Sequence, residues 1–106
     1  MPMNQNLLSN IFGGSNFMKI LDYLIDLEID VSIIDIIDAT NLSRKTVEKV
    51  LTTLESVHVI YVKRKIGKTK MYLLNRENPL VKKLEEINTL VIKNQEKIII
   101  EHRNSK

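Results

Sequence analysis

The spacing of apolar residues changes abruptly near residue 58. Before it, apolar side chains recur every three or four residues, which is typical of helices that bury one face. After it, the stretch VIYVKRK is rich in β-branched and aromatic residues, and Ile66-Gly67-Lys68 separates it from a second such stretch, TKMYLLN. Two strand-like stretches around a glycine predict a β-hairpin. The 106 residues therefore suit one small domain that combines helices with a hairpin.

Two helices are predicted in the acidic first part of the chain. Ser15 can cap a first helix that ends near Glu28. Its apolar face would be formed by Phe17, Ile20, Leu21, Leu24 and Leu27. Ser32 and Asp35 have the spacing of a capping box, which predicts that a second helix covers VSIIDIIDAT. This stretch is Ile-rich enough to be a strand, but the aspartates interrupt its apolar residues with a period near 3.6.

A third helix is predicted to begin after Ser43 and to extend to about Ser56. Its apolar side chains share one side and are Val47, Val50, Leu51, Leu54 and Val57. At about 100° per residue, Lys45, Lys49 and Thr52 point almost directly away from that side. This exposed face is either an ordinary solvated surface or a surface that lies against a negatively charged partner.

The distribution of charge favours a polyanionic partner. Residues 1–40 contain one Lys and six acidic residues, whereas residues 41–70 contain eight Lys or Arg and two Glu. The basic residues of the hairpin crowd its tip, where lysines can also serve to discourage pairing with other sheet edges. A chain polarised in this way should attract polyanions to one face only.

A long helix is predicted to follow Asn78-Pro79, since proline is well tolerated in the first turn of a helix. A seam with alternating spacings of four and three residues runs along it through Leu80, Leu84, Ile87, Val91, Asn94 and Ile98. Such heptad spacing is typical of a coiled coil. The seam can pack back onto its own domain, or it can pair with a second copy of the chain as the dimer interface, which we favour.

The succession of helix, helix, tight turn, helix, hairpin and long helix resembles the winged helix-turn-helix family of DNA-binding transcription regulators. The stretches IIDATNLSRKTVEKVLTTLESVHVI and YVKRKIGKTKMYLLN carry the resemblance, which covers residues 15–75. The positions that match the family pattern are Ala39, Leu42-Ser43, Thr46-Val47, Leu51 and Leu54-Glu55. The family usually has Gly in the turn where this chain has Asn41, and Asn tolerates the left-handed backbone that the turn requires. The stretch GLV, common before the wing, appears here as VHVI.

The resemblance implies an α+β fold with a three-helix core and a β-hairpin wing over residues 15–77. A flexible N-terminal arm, residues 1–14, would precede it, and a coiled-coil-like dimerisation helix, residues 78–106, would follow. The implied function is sequence-specific binding of double-stranded DNA by a transcriptional regulator, a homodimeric repressor of the small archaeal, plasmid or viral type. The absence of cysteine fits a cytoplasmic location.

The family mechanism places the third helix in the major groove and the wing cations on phosphates or in the minor groove. The DNA-binding residues implied by this mechanism are Ser43, Arg44, Lys45, Thr46, Glu48, Lys49, Thr52, Lys63, Arg64, Lys65, Lys68 and Lys70. Among them, Glu48 can accept a hydrogen bond from cytosine.

Other classes of function fit less well. A winged helix can also be a DNA-binding adaptor or a protein-docking module in plasmid partition or chromatin assembly, with a protein partner held by the acidic first helix or the last helix. RNA binding is disfavoured because three Tyr, two Phe and no Trp offer little surface for stacking bases. The sequence shows no nucleophile–base constellation, phosphate loop or zinc spacing, so we expect neither an enzyme nor a cofactor or metal. No apolar stretch is long enough to span a membrane.

Overall fold

A computed structural model describes residues 15–104, with side chains described through residue 94. The predicted arm, residues 1–14, lies outside the described residues, and so does the side chain of Ile98 in the predicted seam. Within the described range the elements are α1 (Asn16–Ile25), α2 (Ile33–Thr40), α3 (Arg44–Ser56), β1 (Ile60–Ile66), β2 (Thr69–Leu74) and α4 (Pro79–Asn104). The helical core and the hairpin are thus confirmed, and α4 begins at the predicted Pro79. None of the helices in this part of the chain has the length and apolarity needed to cross a membrane.

The predicted helix caps are present. The Ser32 hydroxyl accepts a hydrogen bond from the Asp35 amide at 3.3 Å, and the Asp35 carboxylate accepts one from the Ser32 amide at 2.9 Å. Ser15 and Ser43 cap α1 and α3 through their hydroxyl oxygens in the same way. Such a cap contributes about 1 kcal/mol to helix stability. Local sequence therefore fixes where each of the three short helices begins.

Helix α1 ends at Ile25, earlier than the predicted end near Glu28. Arg76, which comes directly after the hairpin, satisfies the carbonyls at this end. Its guanidinium donates to the carbonyl oxygens of Ile25 at 3.3 Å and Leu27 at 2.6 Å, and it pairs with Glu85 of α4. Six residues after Ile25, the backbone of Val31 already pairs with Tyr72 of the hairpin.

The core lies between α1, α2, α3 and the base of the hairpin. Its most deeply buried side chains are Ile20, Ile36, Val47, Val59, Ile60 and Val81. The predicted apolar faces of the three helices point into it, with two exceptions. Phe17 in the first turn of α1 is 40% exposed, and Val57, which follows the last residue of α3, is 53% exposed. A residue of α4 is therefore part of the same core as the helix-turn-helix unit.

Between residues 15 and 104, two residues other than glycine adopt a left-handed backbone conformation. Asn41, in the turn between α2 and α3, has φ 58° and ψ 25°, and its amide donates to the Ile37 carbonyl at 2.8 Å. His58, between α3 and β1, has φ 63°. Its carbonyl accepts hydrogen bonds from the side-chain amides of Asn75 and Asn78, both at 2.9 Å. His58 thus takes the conformation that the glycine of GLV would take without strain.

Replacing Asn41 by valine is expected to lower the free energy of unfolding by about 1–2 kcal/mol, because a β-branched residue is strained at positive φ. Asn41→Gly should leave the free energy of unfolding nearly unchanged. Urea denaturation of both variants measures the difference. An equal loss in both variants would mean that the Asn side chain, rather than the backbone conformation, is what the turn needs.

A third backbone segment pairs with the edge of the hairpin, and the sequence did not predict it. The backbone of Val31 pairs with that of Tyr72 in β2 through hydrogen bonds of 2.9 and 2.7 Å. Gly67 has φ 62° in the turn between β1 and β2, as the predicted turn requires. The loop between α1 and α2 therefore attaches the hairpin to the helical core. We refer to this hairpin, residues 60–74, as the wing.

Helix α4 begins on the core and extends beyond it. Val81 is completely buried, Leu84 and Ile87 pack partly against the core, and Leu80 is 55% exposed. With 26 residues the helix is about 39 Å long at 1.5 Å per residue. Only its first turns find partners in the described part of the chain, and the longest dimension of the structure is 57 Å.

Candidate nucleic-acid interface

The exposed face of α3 has the orientation predicted from the sequence. Val47, Val50, Leu51 and Leu54 are buried in the core, whereas Lys45, Lys49 and Thr52 are exposed. The helix presents these side chains because its apolar residues recur at positions that all face inward. Two cations one turn apart are thus held in solvent by a rigid support.

Arg44 and Glu48 form an exposed ion pair on the same helix. The Arg44 Nε and Glu48 Oε2 atoms are 3.6 Å apart, and more than half of each side chain is accessible to solvent. An exposed pair at this spacing stabilises a helix by about 0.3–0.5 kcal/mol. Each of the two side chains can therefore leave the other and bind an external partner at little cost in free energy.

The hydroxyl groups of Ser43 and Thr52 already donate hydrogen bonds at α3, whereas that of Thr46 accepts one. Ser43 caps the helix and donates to the Thr46 hydroxyl oxygen at 2.9 Å. The Thr52 hydroxyl donates to the carbonyl of Glu48 at 2.9 Å. A phosphate oxygen needs donors, so Ser43 and Thr52 would have to release these bonds to contact one. The cations are consequently the groups of α3 that are ready to attract an anion.

A β-bulge decides which face of the wing each cation occupies. The register pairs Val62 with Tyr72 and Arg64 with Met71, which leaves Lys63 as the extra residue of β1. Opposed residues share a face and successive residues alternate. Beyond the bulge, the directly opposed Lys65 and Lys70 therefore lie on the same face as Tyr72. Arg64 and Met71 lie on the other face.

The structure brings α3 and the wing together across one cleft of about 340 Å³. This helix–wing cleft is lined by Ile33, Arg44, Glu48, Leu51, Thr52, Lys68, Thr69, Lys70 and Tyr72. Five of these residues are among the predicted DNA-binding residues, and they come from both α3 and the wing. The remaining predicted residues, Ser43, Lys45, Thr46, Lys49, Lys63, Arg64 and Lys65, do not line the cleft.

The wing side of the helix–wing cleft is cationic, while Glu48 of α3 adds a negative charge to its lining. Lys65 and Lys70 oppose each other directly, and like charges in this position repel. An anion between them would relieve the repulsion. Burial raises the pKa of the Tyr72 phenol, and the carboxylates of Glu55 and Glu48 raise it further. Tyr72 therefore keeps its proton at neutral pH and can donate a hydrogen bond in the cleft. Sequence reasoning did not select Tyr72.

Arg64 is not free on the surface of the wing. Its guanidinium forms two hydrogen bonds with the Asp30 carboxylate, from Nε to Oδ2 at 2.7 Å and from Nη2 to Oδ1 at 3.2 Å. The Asp30 side chain is only 9% exposed. The hydrogen bond from Arg64 lowers the pKa of Asp30, so this carboxylate is ionised at neutral pH. Asp30 and Arg64 are 34 positions apart in the chain, and nothing in the sequence indicates that they pair.

The chain matches no protein-family model and no curated protein sequence. Among solved structures, it is similar to MepR, a transcription regulator of the Staphylococcus aureus multidrug efflux pump MepA. The identity is 23% and the TM-score 0.64, over 93% of this chain and 72% of the MepR chain. A mutant S. aureus MepR bound to an oligodeoxyribonucleotide is similar at 22% identity and TM-score 0.62, over 92% of this chain and 70% of that one. This likeness shows a shared fold and confirms the winged-helix architecture predicted from the sequence.

Proposed function

We propose that this chain binds double-stranded DNA in a sequence-specific manner and regulates transcription as a homodimer. The observation that carries the proposal is the helix–wing cleft, where cations from two separate elements converge beside the exposed lysines of α3. A solvated helix face alone would not explain why Lys68 and Lys70 of the wing lie across from Arg44. The relation to MepR supports the proposal, since that protein is a transcription regulator and a mutant of it was found with bound DNA.

The geometry suggests how the chain would engage DNA. Helix α3 would enter the major groove with its N-terminal half toward the base edges, so that Arg44 and Glu48 can separate and read guanine and cytosine. The sugar–phosphate backbone beside the groove would then lie along the helix–wing cleft, near Lys68 and Lys70. Occupation of a promoter in this way excludes other proteins from it, and repression is the simplest consequence.

The homodimer rests on α4. Apolar side chains pack the first turns of α4 against the core, and a stripe of further apolar side chains continues along the helix to Val91. Leu90, beside this stripe, is 59% exposed. A second copy of the helix would cover this stripe as a coiled coil does. Leu80, Leu84, Ile87, Val91, Asn94 and Ile98 are the residues we propose for the interface, and Leu84 and Ile87 would be shared with the core. Two copies of α3 could then read half-sites about 34 Å apart.

A DNA-binding titration tests the proposal. The full chain would be mixed with a duplex from the region upstream of its own coding sequence and with a scrambled duplex of equal length, each at two salt concentrations. We expect tighter binding to the upstream duplex and an affinity that falls steeply with salt, because each neutralised phosphate adds about 0.9 to the slope of log affinity against log salt.

The other outcomes are equally informative. Equal, salt-dependent binding to both duplexes would replace sequence-specific regulation by the architectural or partition role that we consider the second candidate. No binding to either duplex at low salt would contradict DNA binding altogether, and a protein partner of α4 would then be the next candidate.

A further inference from the structure

The loop between α1 and α2 holds the wing at two points. On one side, the backbone of Val31 pairs with Tyr72 of β2. On the other, the carboxylate of Asp30 binds the guanidinium of Arg64 in β1 through two hydrogen bonds. Adjacent residues of one loop thus attach to both strands of the wing. A hairpin held at both strands cannot pivot freely about either one.

The Asp30–Arg64 contact has the geometry of a fixed joint. Two parallel hydrogen bonds between a guanidinium and a carboxylate define an orientation as well as a distance. Only 9% of the Asp30 side chain is exposed, whereas 58% of the Arg64 side chain is, so the contact fixes Arg64 at the surface of the wing. Arg64 lies on the face of the wing opposite to Lys65, Lys70 and Tyr72, as the register shows. It therefore points away from the helix–wing cleft that the proposed DNA contact would use.

We infer that Asp30 and Arg64 are positioning residues, which hold the wing at a fixed angle to α3, and that Arg64 does not itself neutralise a DNA phosphate. The inference rests on the proposed DNA binding. It changes the role of Arg64 from a member of the cationic wing surface to a support for the lysines of the cleft. It also gives Asp30 a function in binding a polyanion that it would otherwise repel.

Electrostatics alone and the positioning role predict opposite results for Asp30→Asn. Removing an acidic charge near a DNA-binding surface should strengthen binding if only charge matters. If Asp30 holds the wing, its loss should weaken binding, because Lys68 and Lys70 would no longer be kept opposite Arg44. Glu28→Gln is the matched control, since it removes the same charge from the same loop at an exposed position.

The affinities of these variants for DNA would be measured at several salt concentrations. We expect Asp30→Asn to bind about 5–10-fold more weakly than the parent, with Glu28→Gln equal to the parent or slightly tighter. Arg64→Met should weaken binding to a similar extent with an unchanged salt slope, whereas Lys70→Met should lower the slope by about 0.9. Tighter binding by Asp30→Asn, or a slope lowered by 0.9 in Arg64→Met, would overturn the inference.

Hydrogen exchange of the Val31 and Tyr72 amides gives a readout that needs no DNA. These amides should exchange faster in Asp30→Asn than in Glu28→Gln, because the wing loses one of its two attachments. Equal exchange in the two variants would overturn the positioning role. If the parent chain itself fails to bind DNA, the proposed function is wrong, and the exchange rates still decide whether Asp30 holds the wing.

Discussion

Replacing Lys45 and Lys49 together by alanine is expected to weaken DNA binding about 30-fold or more. Two phosphate contacts contribute about 1.8 to the salt slope, which at 0.15 M salt corresponds to roughly 2 kcal/mol. Loss of contacts to guanine would add to this effect. The free energy of unfolding should change by less than about 0.5 kcal/mol, because both side chains are exposed and alanine favours a helix. Titrations over a range of salt concentrations would measure both the affinity and the slope.

The matched control is the double replacement of Lys82 and Lys83 by alanine. These two residues are also exposed, but they lie on α4, where they are consecutive rather than one turn apart and Lys83 pairs with Glu86 at 3.4 Å. The net charge falls equally in both double variants. An equal loss of affinity in the two would mean that DNA responds only to net charge. Binding undiminished in the α3 variant would mean that this face is merely solvated, and the proposed interface would be wrong.

The helical core could be predicted from the sequence because local signals determine it. The capping box of Ser32 and Asp35 is complete within four residues, and the apolar period of α3 orients Lys45 and Lys49 without reference to the rest of the molecule. Asn41 is similar, since few residues other than glycine tolerate its backbone conformation. Each of these predictions depends on residues that are close in sequence, and the structure confirms each of them.

The features that the sequence did not reveal depend on residues far apart in the chain. Arg76 binds carbonyl groups at the end of α1 from a position about fifty residues away. The bulge at Lys63 separates Arg64 from the cleft, and alternation along β1 alone gives no sign of it. The pairing of Val31 with Tyr72 and of Asp30 with Arg64 joins a loop to the wing. From the sequence, Arg64 and Lys70 are simply two cations of the wing. In the fold they lie on different faces and have different partners.

Val81→Asp and Leu80→Asp are expected to separate folding from association, although the two residues are adjacent. Val81 is completely buried, so a carboxylate there would be uncompensated and should cost about 3–5 kcal/mol. That is a large part of the 5–15 kcal/mol by which a domain is usually stable. The melting temperature measured by circular dichroism should fall by roughly 15–30 °C.

Leu80→Asp serves as the control for folding and as the test for the dimer. Leu80 is 55% exposed, and its amide is already bound by Asn78 at the start of α4, where an acidic side chain suits the helix dipole. The fold of the monomer should therefore tolerate the change, while sedimentation should show a weaker dimer if Leu80 belongs to the seam. If the charge leaves the strength of the dimer unchanged, Leu80 does not belong to the interface. Unfolding as severe as that of Val81→Asp would mean instead that the chain folds only as it associates, because pairing of α4 would then be a condition of stability.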